Sequence, residues 1–184
     1  MILPIVAYGD TVLRKVGQSI SAEYEGLNEL IANMWESMYK AQGIGLAAPQ
    51  VGKAINLFII DTSAFDEEDC PKIKKAFLNA EMIEEWGEEW AFEEGCLSIP
   101  HIREDVFRWS NIEIKYQDEN FVWHTEEYDG LAARVIQHEY DHIKGKLFVD
   151  YLSPLKKRLL KNKLINISKG GANTKYKMRI PKVK

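Results

Sequence analysis

The five residues His138-Glu139-Tyr140-Asp141-His142 constrain this chain more than any other stretch. Side chains four apart share one face only if the backbone is helical, where their Cβ atoms stand about 5–6 Å apart. Two imidazoles at that spacing can grip one small divalent cation. Glu139, one residue after the first and three before the second, flanks the cation without ligating it. H-E-x-x-H on a helix thus reads as two metal ligands plus a general base for metal-assisted hydrolysis. The same letters also occur as two solvated histidines on a charged helix, so the surroundings decide. Asp129 suits an N-cap, Gly145 suits the position past the C-terminus, and no proline lies between. On such a helix Leu131, Val135, His138 and His142 share one stripe, so the histidines continue an apolar face. Ala132, Ile136, Tyr140 and Ile143 make a second, ordinary packing stripe. Arg134 falls off the first stripe and is expected to point elsewhere.

A catalytic site of this kind has three protein ligands and one open position. The chain offers two cysteines, Cys70 and Cys96, and two further histidines, His101 and His124. Cys70 follows Asp66-Glu67-Glu68-Asp69, an acidic loop in which a thiolate is disfavoured. His124 sits in Phe-Val-Trp-His-Thr, an exposed strand position with a structural role. Cys96 lies in Glu94-Gly95-Cys96-Leu97-Ser98-Ile99-Pro100, where Gly95 allows close backbone approach beside the thiol. By elimination Cys96 is the third ligand. Cys/His/His accepts iron, zinc, nickel or cobalt.

With 184 residues and 46% hydrophobic content, the chain is expected to form one domain, 1–184, with a sizeable core. It has no apolar run long enough to span a membrane, and its start resembles neither a signal nor a transit peptide. Two cysteines do not make a disulfide framework, so the expected compartment is the cytoplasm. The net charge of −4 hides an asymmetry. Residues 155–184 carry eleven Lys or Arg and no Asp or Glu, while the first 154 residues hold 13 basic against 28 acidic side chains, a balance of −15.

Periodicity predicts a helix over 24–41, from the spacing of Leu27, Leu30, Ile31, Met34, Trp35 and Met38. Gly43 to Gly52 breaks it, and Asn56–Asp61 reads as a buried strand before a polar loop at 62–75. Strands are expected near 76–85 and 88–92, then a hairpin of 112–117 and 121–125 around a turn at Asp118-Glu119-Asn120. The histidine helix follows at 130–144, and Pro154 opens another. Tyr176, Met178 and Ile180 alternate with basic residues in an extended tail. The fold class is α+β, with strands around a helix carrying the H-E-x-x-H motif.

Three segments together resemble one family. Gly43-Ile-Gly-Leu-Ala-Ala-Pro-Gln-Val-Gly52, Glu94-Gly-Cys-Leu-Ser-Ile-Pro100 and Gln137-His-Glu-Tyr-Asp-His142 are similar, in order and separation, to the signature motifs of peptide deformylase, and the similarity runs from Leu3 to about Pro154. The resemblance implies antiparallel sheets around the helix and removal of the N-formyl group from the initiator methionine of nascent proteins. It implies Cys96, His138 and His142 as metal ligands, Glu139 as acid/base, and Gln50 with the Leu97 N–H as holders of the substrate carbonyl oxygen. Gly45 then hydrogen-bonds the formyl-peptide through its backbone, and Ile44, Glu94, Leu131 and Val135 line the methionine pocket. Fe2+ is the implied native ion, with Zn2+ a common occupant. Because water on the metal is already acidified, Glu139 is expected to need no unusual pKa.

Two rivals share parts of this pattern. A zincin-like endopeptidase takes a third His or Glu downstream, but beyond His142 there is no His and only Asp150 is acidic. A structural zinc module binding nucleic acid through the basic tail fills four positions, and no convincing fourth ligand exists. The basic tail, which departs from the family pattern after about residue 165, suggests ribosome contact. On that reading a cut after Ser168 would spare activity on short formyl peptides.

Overall fold

The computed structural model describes residues 1–65 and 70–181. The acidic stretch 66–69 and the last three residues of the tail lie outside the described residues. A five-stranded antiparallel sheet runs in the order β2-β3-β4-β5-β6, with β2 at Gly45–Ala47, β3 at Leu57–Asp61, β4 at Lys74–Cys96, β5 at Ile99–Gln117 and β6 at Trp123–Asp129. Three α-helices accompany it, α1 at Leu27–Lys40, α2 at Gly130–Ile143 and α3 at Pro154–Ser168. A separate parallel pair joins β1, Ile5–Val6, to β7, Met178–Arg179. No helix among the described residues is long and apolar enough to cross a membrane. The chain is α+β, as the pattern predicted.

The run Leu57-Phe58-Ile59-Ile60 is buried throughout because β3 has a helix on each face. Side chains alternate across a strand. Leu57 and Ile59 join Leu27, Ile31, Met34 and Met38 of α1, while Phe58 and Ile60 join Ala133, Ile136 and Ile143 of α2. A third cluster seats Leu160, Leu164 and Ile167 of α3 against Ile99, Ile102 and Val106 of β5. α2 therefore lies within the protein, packed against β2, β3, β5 and β6.

The differences from expectation have local causes. α1 begins at Leu27 because Gly26, at φ +73°, takes a left-handed conformation that a helix cannot continue through. The two strands expected at 76–85 and 88–92 are one, since register shifts near Leu78, Met82 and Trp86 let β4 bend without ending. Asp129 stands at the N-cap of α2, yet its side chain makes no capping bond. Gly145 does close the other end, at φ +72°, where a Cβ would collide with the Arg14 carbonyl oxygen. Ser153 caps α3 through Lys156 N–H, with Pro154 in its first turn.

Candidate active site

α2 is unusual in burying polar groups on most of its circumference: Arg134, Gln137, Glu139, Asp141 and His142 are all buried. Such groups are costly unless paired, and most of them are. His138 Nδ1 lies 2.9 Å from Glu94 Oε2. The Glu94 carboxylate accepts here, so His138 Nδ1 donates; once the ring is neutral, as a metal ligand must be, the lone pair is on Nε2. Arg108 Nε donates to Glu94 Oε1 at 2.6 Å and its Nη1 to Asp141 Oδ2 at 2.8 Å, while Arg134 Nη1 reaches Glu94 Oε1 at 2.9 Å. Burial opposes charge on Glu94, but the bonds from His138 and Arg108 outweigh it and hold its carboxyl well below the usual range.

Cys96 ends β4 at a two-residue turn, Leu97-Ser98, and pairs with Ile99 of β5 after a register shift at Gly95. The turn brings Cys96 Sγ to 3.3 Å from His142 Nε2. One ligand atom from each of Cys96, His138 and His142 falls within 4.8 Å of the others. Burial, followed by the positive His138 beside it, pushes the His142 pKa well below its ordinary value, which keeps a ring lone pair available. At His138 burial works the same way, but hydrogen bonds to Cys96 and Glu94 reverse it and raise the pKa. A thiol and two imidazoles at this separation, the thiol at the end of β4 and both imidazoles on α2, fit a single divalent cation. Two further polar atoms beside them, Glu139 Oε2 and His142 Nδ1, are buried without a hydrogen-bond partner. Orphaned groups of this kind mark places where function outweighs stability.

Glu139 lies against Gly45 of β2, where any Cβ would collide with its carboxylate. Burial pushes the Glu139 carboxyl up to about 7. Spacing along a helix says nothing about this desolvation, which arises from what packs around the carboxyl. Gln50 sits in the short 3-10 turn Ala48–Val51. Its Oε1 accepts from the Ala47 N–H at 2.9 Å, so its Nε2 faces Cys96 Sγ and Ser98 Oγ, each at 3.4 Å.

These groups open on a cavity of about 760 Å³. Ile44, Gly45, Glu94, Leu97, Leu131 and Val135 all line it, as do Gln50, Cys96, His138 and Glu139. His142 stands behind them, buried. His124 is away from the cavity, bonded to Asp118 at 3.0 Å. Arg134 was expected to point elsewhere, but it lines the cavity, holds Glu94, and stacks 4.3 Å over the Trp90 ring. A helix stripe drawn from apolar residues misses it because α2 has no solvent face at that position. Tail residues Asn173, Thr174, Lys175 and Tyr176 also line the cavity. The alternation around Tyr176 gave a strand signal but no indication of where that strand returns.

The family model for polypeptide deformylases matches residues 2–158. A peptide deformylase of Christiangramia forsetii is 59% identical, over 100% of this chain and 98% of the relative. Among solved structures, a peptide deformylase from Legionella pneumophila is 37% identical with a TM-score of 0.82, covering 95% of this chain and 99% of that one. A Met-Ala-Ser-bound class I type b peptide deformylase from Acinetobacter baumannii is 30% identical with a TM-score of 0.78, covering 83% and 99%. Sequence, fold and the grouping of Cys96, His138 and His142 agree, and the chain belongs to the peptide deformylase family.

Proposed function

We propose that the chain carries out the family's reaction, hydrolysing the formamide of N-formyl-methionyl peptides, with Cys96, His138 and His142 holding one divalent cation and Glu139 serving as base and acid. The observation that carries this reading is one cavity onto which a Cys/His/His trio, a partnerless buried carboxylate oxygen and the Gln50 amide converge. A cation in this site supplies Lewis acidity, lowering the pKa of a water and polarising the formyl oxygen. Glu139 takes the proton of the attacking water and later delivers it to the departing amine nitrogen. The formyl C–N bond breaks, giving formate and a free α-amino terminus. Gln50 Nε2 and the Leu97 N–H donate to the oxyanion, and the Ala47 N–H supports this role by fixing which end of the Gln50 amide points inward. Gly45 bonds the peptide backbone.

Ile44, Leu131 and Val135, with Glu94 at the polar end, form the methionine slot, whose apolar lining suits a flexible thioether. The Met-Ala-Ser named with the Acinetobacter baumannii relative has this chemistry. Ferrous iron is the resident ion, and zinc, nickel or cobalt suit the same donors. The substrates are nascent chains in the cytoplasm, met at the ribosome through the basic segment 155–184. The test is formate release from formyl-Met-Ala-Ser by protein prepared without air. Release abolished by a chelator and restored by ferrous iron is expected. Cleavage of internal peptide bonds without formate would sink the reading.

A further inference from the structure

The tail does more than leave the body. After α3 the chain returns across the molecule, and its path is fixed at both ends. Asn173 carbonyl oxygen lies 2.6 Å from His101 Nε2. β7 then pairs with β1, with Ile5 N–H donating to Lys177 O and Ala7 N–H to Arg179 O, both at 2.9 Å. Between these anchors Thr174 Oγ1 donates to Tyr176 O at 2.6 Å. The Tyr176 ring packs against the α1–β3 core, and its hydroxyl donates to Leu97 O at 2.8 Å. Leu97 and Ser98 make the turn that follows Cys96, and the proposed oxyanion N–H belongs to its first peptide, Cys96–Leu97. Tyr8 N–H holds Ser98 O at 2.9 Å, and Gln50 Nε2 reaches Ser98 Oγ at 3.4 Å. Two of these ties hold backbone carbonyls, so they fix the tilt of the Leu97–Ser98 and Ser98–Ile99 peptide planes.

We propose that Tyr176 is a positioning residue for deformylation: by holding the Leu97 carbonyl from the returning tail, it fixes the Leu97–Ser98 peptide and, through the Leu97 Cα, limits how far the preceding Cys96–Leu97 peptide can turn its N–H away from the substrate oxyanion. This rests on the reading of Leu97 as an oxyanion donor. Such donors accelerate a reaction only when aimed in advance, and small misplacements cost rate more than binding. Tyr176→Phe keeps the ring in its packing and deletes only the tether. The expected result is a roughly three- to tenfold fall in kcat for formyl-Met-Ala-Ser, the scale of one hydrogen bond, with KM, bound metal per chain and Tm retained. Thr174→Val, which loosens the strap and leaves the hydroxyl, should produce a smaller fall in the same parameter. A fall in kcat that tracks a lowered Tm or lost metal in both variants would overturn the proposal in favour of plain packing. Gln50→Leu separates the layers. If it lowers kcat by roughly 10²–10³ while Tyr176→Phe changes nothing, the positioning role is wrong and the oxyanion reading stands. If neither changes kcat, both are wrong.

Discussion

Glu139 is caged by Gly45 on one side and left without a partner for Oε2 on the other. Near it in sequence, His138 and His142 each bring a potential ligand atom within 4.8 Å of the Cys96 thiol. Ligand and base are therefore separable by mutation. Cys96→Ala, His138→Ala or His142→Ala should lose bound metal and activity together. Glu139→Gln should keep one metal per chain and lower kcat by roughly 10²–10⁴, the range for a general base. A metal-free Glu139→Gln protein in elemental analysis would show that this division is wrong. Val135, half-buried, lines the cavity one turn before His138. Val135→Phe should raise KM for formyl-Met peptides more than for substrates with a smaller first side chain, and equal effects on both would remove Val135 from the slot.

Between elements, the Arg108–Glu94–Asp141 network ties β5 to β4 and α2. The Arg108 and Glu94 side chains are only 4% and 5% exposed. Removing one partner leaves buried charge uncompensated, which costs about 3–5 kcal/mol. Arg108→Leu should lower stability by that amount in urea denaturation. The Arg103–Glu93 pair on the same hairpin is 63% and 61% exposed. Arg103→Leu should therefore change stability by under about 1 kcal/mol. Similar losses from both would mean that burial does not set the strength of the Arg108 pairs. The same network orients His138 through Glu94, so the proposed metal ligand on α2 depends on an arginine thirty residues upstream that no local motif announces.

The whole molecule changes the meaning of the tail. Spacing and charge suggested a docking element that could be cut after Ser168. β7 instead closes onto β1, and Tyr176 reaches Leu97. Truncation after Ser168 should lower Tm and reduce kcat on formyl-Met-Ala-Ser; an unimpaired truncated enzyme would show the return path to be dispensable. On the proposal of ribosome contact, α3 is the part of the basic segment that would make it. Leu160, Leu164 and Ile167 are its buried stripe, while Lys157, Arg158 and Lys161 are exposed and Lys156 is held by Glu104 at 2.6 Å. Each neutralised phosphate adds roughly 0.7–0.9 to the salt dependence of binding. Reversing Lys157, Arg158 and Lys161 to Glu should weaken cosedimentation with ribosomes and flatten its dependence on salt. Cosedimentation unchanged by the reversal would exclude α3 as the contact.

Helix periodicity by itself determined that His138 and His142 share a face, and a count of sulfur and imidazole donors left Cys96 as their companion. Both follow from local geometry and from a short inventory, so no fold was needed. The buried run at Asn56–Asp61 likewise announced a strand covered on both sides. What covers it, the bend of β4 through its register shifts, the elevated Glu139 pKa, the place of Arg134 and the return of Tyr176 were decided only by tertiary structure. Each depends on groups distant in sequence: Gly45 against Glu139, Glu94 against Arg134, Leu97 against Tyr176. Periodicity reports which way a side chain leaves its own element. Desolvation and long-range pairing arise from what meets it there.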